Sequence, residues 1–208
     1  MNISLAAYRA YHLKHHKYAG TPDDPDIVFV KNYPISRESM TRKFMRDLTG
    51  RTGFRDTLRK IKSFRLSRNY PWLGFHILLL GILTAVGAPW AYLMWWVAEL
   101  FIYPAIVRLR QIGEHGTAKD RTSLDPRLNT GTTVAPFWQR VFIAPNDVNY
   151  HLEHHFMANI PPYNLKRMHK LLSDRGFYEG FDCISYGYGN VIKRAIRSET
   201  PDTLVPAE

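Results

Sequence analysis

From Asn69 to Val107 the chain carries a single formal charge, Glu99. A run of roughly 40 nearly uncharged residues is about twice the ~20 that take one helix across a ~30 Å hydrocarbon core. Gly87-Ala88-Pro89 falls near its middle, and such punctuation breaks helices. The segment therefore predicts a hairpin of two crossings, Pro71 to Val86 and Trp90 to Val107, within about 71–107. Trp72, Trp90, Trp95, Trp96 and Tyr103 supply the aromatic residues of membrane interfaces. His76 lies inside the first crossing and reads as a packing or substrate-channel residue. Arg65 and Arg68 precede the hairpin, Arg108 and Arg110 follow it, and its turn carries no cation. By the positive-inside rule both outer ends are expected on the cytoplasmic side. A buried soluble hairpin is the competing reading, and the flanking charges argue against it.

The length of 208 residues suits one domain. A formal net charge of +10 calls for an anionic neighbour, either nucleic acid or a membrane surface. The cations are dense between Ser36 and Arg68, where Phe54, Leu58, Ile61 and Phe64 recur at helical spacing. This predicts two amphipathic helices broken at Thr49 to Gly53. Because the segment abuts the hairpin, lipid headgroups explain its charge more simply than nucleic acid, which is not an expected partner. One cysteine, Cys183, excludes an intramolecular disulfide framework. Met1 to Ala10 lacks the charged and apolar regions of a secretory signal.

Two stretches carry the chemistry. Tyr11-His12-Leu13-Lys14-His15-His16 and Tyr150-His151-Leu152-Glu153-His154-His155 both read H-x-x-H-H behind a tyrosine, among nine histidines in all. Residues three and four apart share a helix face, so each box projects three imidazoles together. Imidazole suits iron, zinc, copper or nickel, and the boxes hold no cysteine of a structural zinc site. His12, His15, His16, His151, His154 and His155 are therefore candidate metal ligands. Two crossings between the boxes return the chain to its starting side, which lets both serve one site. His115, just past the second crossing in Gly113-Glu114-His115-Gly116, joins them as a candidate. Glu114 reads either as a carboxylate orienting a ligand or as solvated.

Elsewhere the signals are plainer. Met1 to His16 is free of glycine and proline and predicts one helix, ended by Gly20-Thr21-Pro22-Asp23-Asp24-Pro25-Asp26, whose aspartates read as turn and cap residues. Thr117 to Pro136 reads as a polar loop. Pro161-Pro162 stops the second box helix, and Tyr163 to Leu172 predicts another helix, with His169 surface-facing or packed. The segment after Phe177 is expected to be a peripheral tail. The expected class is all-α: an integral-membrane helical hairpin with a cytosolic helical cap, residues 1–176 forming the functional domain and 177–208 the tail.

In this order, the His12 box with its aspartate-rich turn, a hydrophobic hairpin, G-E-H-G, N-T-G-T-T and N-Y-H-L-E-H-H followed by P-P-Y-N-L-K-R-M-H resemble the membrane fatty acid desaturase family, the histidine-box desaturases and their hydroxylase relatives. The resemblance covers roughly Tyr8 to Gly176. It implies a di-iron site that activates O2 as co-substrate and removes hydrogen from a lipid-like chain. By position, His12, His15 and His16 would stand as the family's second box, His151, His154 and His155 as its third, and His115 as a further ligand. The family's first box, H-x-x-x-H on an earlier helix, has no separate counterpart here. That spacing occurs only between His12 and His16. An N-terminally truncated chain is the expectation. Gly131 stands where many relatives have arginine. No HPGG haem motif is present, so electrons are expected from a separate ferredoxin-like or haem protein with its reductase.

Three functions follow as expectations. The first is O2-dependent desaturation of a fatty acyl or related lipid chain. The second is hydroxylation or ketolation of a lipid or carotenoid at the same site. The third is non-enzymatic, a catalytically incomplete membrane fragment.

Overall fold

A computed structural model describes residues 5–197 of the chain. In chain order, α1 spans Leu5–Tyr18, α2 Ile27–Val30, α3 Arg37–Leu48, α4 Arg51–Lys62 and α5 Leu66–Ala85. Past a tight turn follow α6 (Tyr92–Val97), a π-helical turn (Ala98–Ile102), α7 (Tyr103–Gln111) and a second π-helical turn (Ile112–Gly116). Then come α8 (Pro126–Asn129), β1 (Thr132–Val134), α9 (Phe137–Phe142), α10 (His151–Phe156), α11 (Pro162–Ser173), β2 (Ile184–Tyr186) and α12 (Tyr188–Ala195). The chain is mostly helical, as expected. It divides into two compact units, one built from the residues up to Ile27 with Arg42–Arg108, the other from Val28–Thr41 with Leu109 onward.

In the first unit, the break expected between the two basic helices falls at Thr49-Gly50. Gly50 sits at φ 80, a left-handed conformation that glycine adopts without steric cost. Asn69 accepts a hydrogen bond from the Arg65 backbone N–H at 2.8 Å, closing the first turn of α5. Gly87, at φ 76, reverses the chain after α5. The helical run Pro89–Gly116 that follows is 28 residues long and, by length and composition, apolar enough to cross a membrane. α5 packs antiparallel to α6 through aromatic contacts. The buried His76 hydrogen-bonds the Tyr92 hydroxyl through Nδ1 at 2.9 Å and lies between Trp72 and Trp96. This agrees with a packing role.

α4 meets the long helical run at the π-helical turn. A Cβ on Gly53 would lie 2.2 Å from the Leu100 carbonyl oxygen, so the crossing exists only because residue 53 has no side chain. Gly74 and Gly81 on α5, by contrast, face open space. Lys60 pairs with Glu99 beside the crossing. Asp47 is 0 % exposed, accepts from Thr52 Oγ1 at 2.5 Å and forms an ion pair with Arg108.

The second unit departs from an all-helical reading. β1 and β2 pair in parallel, Thr132 with Ile184 through Val134 with Tyr186. Three-residue strands are too short to show a period of two in sequence, and each depends on a partner about fifty residues away. Of the expected tail, the described residues up to Arg197 are not peripheral, and 198–208 lie outside the described residues. Tyr178 and Cys183 pack with Leu152 of α10 in a buried cluster, and α12 buries Tyr188, Val191 and Ala195. Gly131 is explained by close packing. Its N–H donates to the Glu114 carbonyl at 2.8 Å, and a Cβ would stand 2.9 Å from the Gly113 carbonyl.

Candidate metal centre

α1 carries the first box in the first unit. His12 and His16 lie one turn apart, with their Nε2 atoms 3.1 Å from each other. His15, the one buried residue of α1, turns the other way at Nδ1, which meets Asp24 Oδ1 at 2.8 Å. A carboxylate only accepts hydrogen bonds, so the proton sits on Nδ1, the tautomer in which Nε2 is the ring's acceptor atom. Asp24 is held in turn by the backbone N–H groups of Gly20 and Asp26, each at 2.8 Å. Burial alone would raise its pKa. The His15 hydrogen bond and the two backbone donors outweigh burial and keep the carboxyl below its ordinary range. Tyr11 donates to Asp26, and its phenol is pushed up by burial and by that carboxylate.

The aspartate-rich turn thus does more than end a helix. Asp24 orients the His15 ring. His15, Asp24 and Asp26 also lie close enough together to form a small metal-binding group of their own. The backbone donors already occupying Asp24 favour the orienting role.

In the second unit, His115, His151 and His155 converge. Their ligand nitrogens lie within 4.8 Å of one another. His115 Nε2 and His151 Nε2 are 3.0 Å apart, and the ring centroids of His151 and His155 are separated by 4.5 Å. His115 Nδ1 donates to the Asn129 backbone carbonyl at 3.0 Å, which turns its Nε2 toward His151. His154 stands aside from this trio, its ring 5.8 Å from that of His151 and 5.9 Å from that of His155. Glu114, next to His115, is buried in an ion pair with Arg110 at 2.7 Å; it is not solvated.

Two supports fix α10. Asn149, just before the helix, is buried and exchanges hydrogen bonds with Thr133: its side-chain N–H donates to the Thr133 carbonyl, and the Thr133 N–H donates to its carbonyl, both at 2.9 Å. The preceding Asn146 and Asp147 adopt φ 61 and 58, left-handed values that turn the chain into the box. Glu153, 0 % exposed, sits on the opposite face. It accepts from Thr132 Oγ1, from Tyr178 Oη at 2.5 Å and from His169 Nδ1 at 2.6 Å. Burial and then the Glu153 charge push the Tyr178 phenol far up, so it stays protonated and donates.

Sequence reasoning missed this network. His169 is neither an idle surface residue nor one of the converging imidazoles; it locks α10 through Glu153. The sequence signal was slight, a lone carboxylate inside an otherwise basic box.

Clustered imidazole nitrogens are a donor set that fits iron, and the Nδ1 hydrogen bonds of His15 and His115 orient two of the rings. The chain is thus helical and histidine-rich, with a helix of membrane length and a set of converging, mostly buried imidazoles. The family model described as fatty acid desaturase matches residues 1–183, and the chain belongs to that family. Neither a curated protein nor a solved structure matches it. Membership points to an oxidoreductase of the desaturase and hydroxylase type that works on lipid in a membrane setting.

Proposed function

We propose that the chain is a membrane-bound di-iron oxidoreductase that uses O2 to desaturate a fatty acyl or related lipid chain. Its ligands in this reading are His12, His15, His16, His115, His151, His154 and His155. The hairpin, Pro71 to Val86 and Trp90 to Val107, crosses the bilayer twice. The histidine boxes then belong to a helical cap on the cytoplasmic side, and a ferredoxin-like or haem protein with its reductase supplies electrons. The observation that carries the reading is the convergence of buried His115 and His151 with half-buried His155, His115 Nδ1 being bound to a carbonyl.

Bound iron would supply the activation of O2 needed to attack an unactivated C–H bond. The chain's own residues do the rest. Asp24 and the Asn129 carbonyl set the tautomers of His15 and His115. Glu153, held by Thr132, Tyr178 and His169, keeps α10 from rotating. Burial of His15, His115 and His151 keeps water from competing for their lone pairs.

The test is iron per chain in detergent-purified protein, together with the mass of the lipid product. We expect about two irons, lost with turnover in His155→Ala, and a product lighter by two hydrogens. One iron or less would sink the di-iron reading, and a product that gains oxygen would move the chain to the hydroxylases.

A further inference from the structure

We propose that α4 is a binding helix for anionic phospholipids, seated at the membrane surface beside the hairpin. Phe54, Leu58 and Ile61 follow one another at helical spacing and are 55 %, 52 % and 63 % exposed, an apolar stripe left open to the surroundings. Arg55, Arg59 and Lys62 each follow a stripe residue by one position, Arg51 precedes Phe54 by three, and all four are exposed. At about 100° per residue they form a cationic edge along one side of it. The remaining side is occupied: Gly53 packs on the Leu100 carbonyl and Lys60 pairs with Glu99.

The helix is therefore held against the apolar run by one face and presents apolar and cationic faces outward. Its one acidic residue, Asp56, meets Arg55 at 3.1 Å and Arg59 at 3.5 Å. These are exposed pairs of the kind that yield readily to other anions. An amphipathic helix with cations flanking a wedge of Phe, Leu and Ile matches the boundary between acyl chains and headgroups. The occupant follows from charge. Zwitterionic headgroups satisfy the apolar stripe alone, whereas a phosphate with net negative charge also answers the arginines and the lysine. Nucleic acid would leave the stripe unmatched.

The experiment is native mass spectrometry of the full chain in detergent, titrated with phosphatidylglycerol or phosphatidylcholine. Phosphatidylglycerol should be retained at least about fivefold more readily. Arg51→Gln/Arg59→Gln/Lys62→Gln should abolish that preference, whereas Phe54→Ser/Leu58→Ser/Ile61→Ser should weaken both lipids alike. Helix content by circular dichroism checks that each variant folds. In the wild type, raising salt from about 0.05 to about 0.5 M should erode the preference, a reading independent of any variant. Equal retention of the two lipids, a preference indifferent to salt, or tighter retention of a DNA duplex than of phosphatidylglycerol would overturn the assignment. Because no readout depends on iron, its failure is separate from failure of the proposed oxidation.

Discussion

The two histidine boxes share one spacing and differ in what holds them. On α1 only His15 is buried, and its support is a side chain, Asp24. Around α10, His151, Leu152 and Glu153 are all buried, and the neighbouring His115 is held by the Asn129 main chain. One cluster rests on a carboxylate that a point mutation can delete. The other rests partly on a carbonyl that no point mutation can remove. Equal motifs thus conceal unequal tolerance to change.

The largest effect should come from Glu153→Ala. It would strip an acceptor from Thr132, Tyr178 and His169 at once, and each stranded buried donor costs about 1–3 kcal/mol. A loss of about 3 kcal/mol or more, read as a lower unfolding temperature in detergent, is the expected outcome. A variant as stable as wild type would mean α10 is fixed by packing alone.

Asp24→Asn against Asn129→Ala sharpens the contrast further. The first should weaken iron binding by about 10- to 100-fold, the usual cost of losing a carboxylate behind a ligating histidine. The second keeps the backbone carbonyl and forfeits only the hydrogen bond from its side chain to Ser123, worth about 1 kcal/mol of stability. Competitive iron titration of both variants decides this, and equal losses would erase the distinction. Acid acts on the same side. A carboxyl whose pKa is lower in the folded chain stabilises the fold fully above its unfolded value of about 3.9 and loses that contribution as pH falls through the folded one.

The smallest effect concerns Cys183, packed beneath Leu152, whose thiol is pushed up to about 11 by burial. Iodoacetamide at pH 8 should modify it far more slowly in native than in unfolded protein, by mass spectrometry. Fast native labelling would show that the layer under α10 opens.

Much of this was legible in the residues. The turn at Gly87 and the break near Gly50 come from local backbone chemistry, which sequence states directly, whereas α10 ends at Phe156, ahead of Pro161-Pro162, and Pro162 opens α11. The H-x-x-H-H spacing likewise states which imidazoles share a helix face. What escaped was set by distant partners. β1 exists because Ile184 to Tyr186 lies beside it, and α12 becomes core because its buried face meets the rest of the unit. Asp24 read as a turn former, and it is one, but its second task follows only once α1 folds back within reach of the turn. Glu153 and His169 offer little locally beyond a lone carboxylate in a basic box, since their pairing joins residues on different helices.

Gly53 also governs how the hairpin can be studied. A probe there would wedge α4 off Leu100 and report on its own damage, whereas a Cβ at Gly74 or Gly81 would meet nothing within 4 Å beyond its own helix. A cysteine placed at either, in a Cys183→Ser background, would carry a spin label without disturbing a contact. Quenching of that label by lipid-soluble oxygen or a water-soluble nickel chelate would then read out whether α5 enters the bilayer as the proposed hairpin requires.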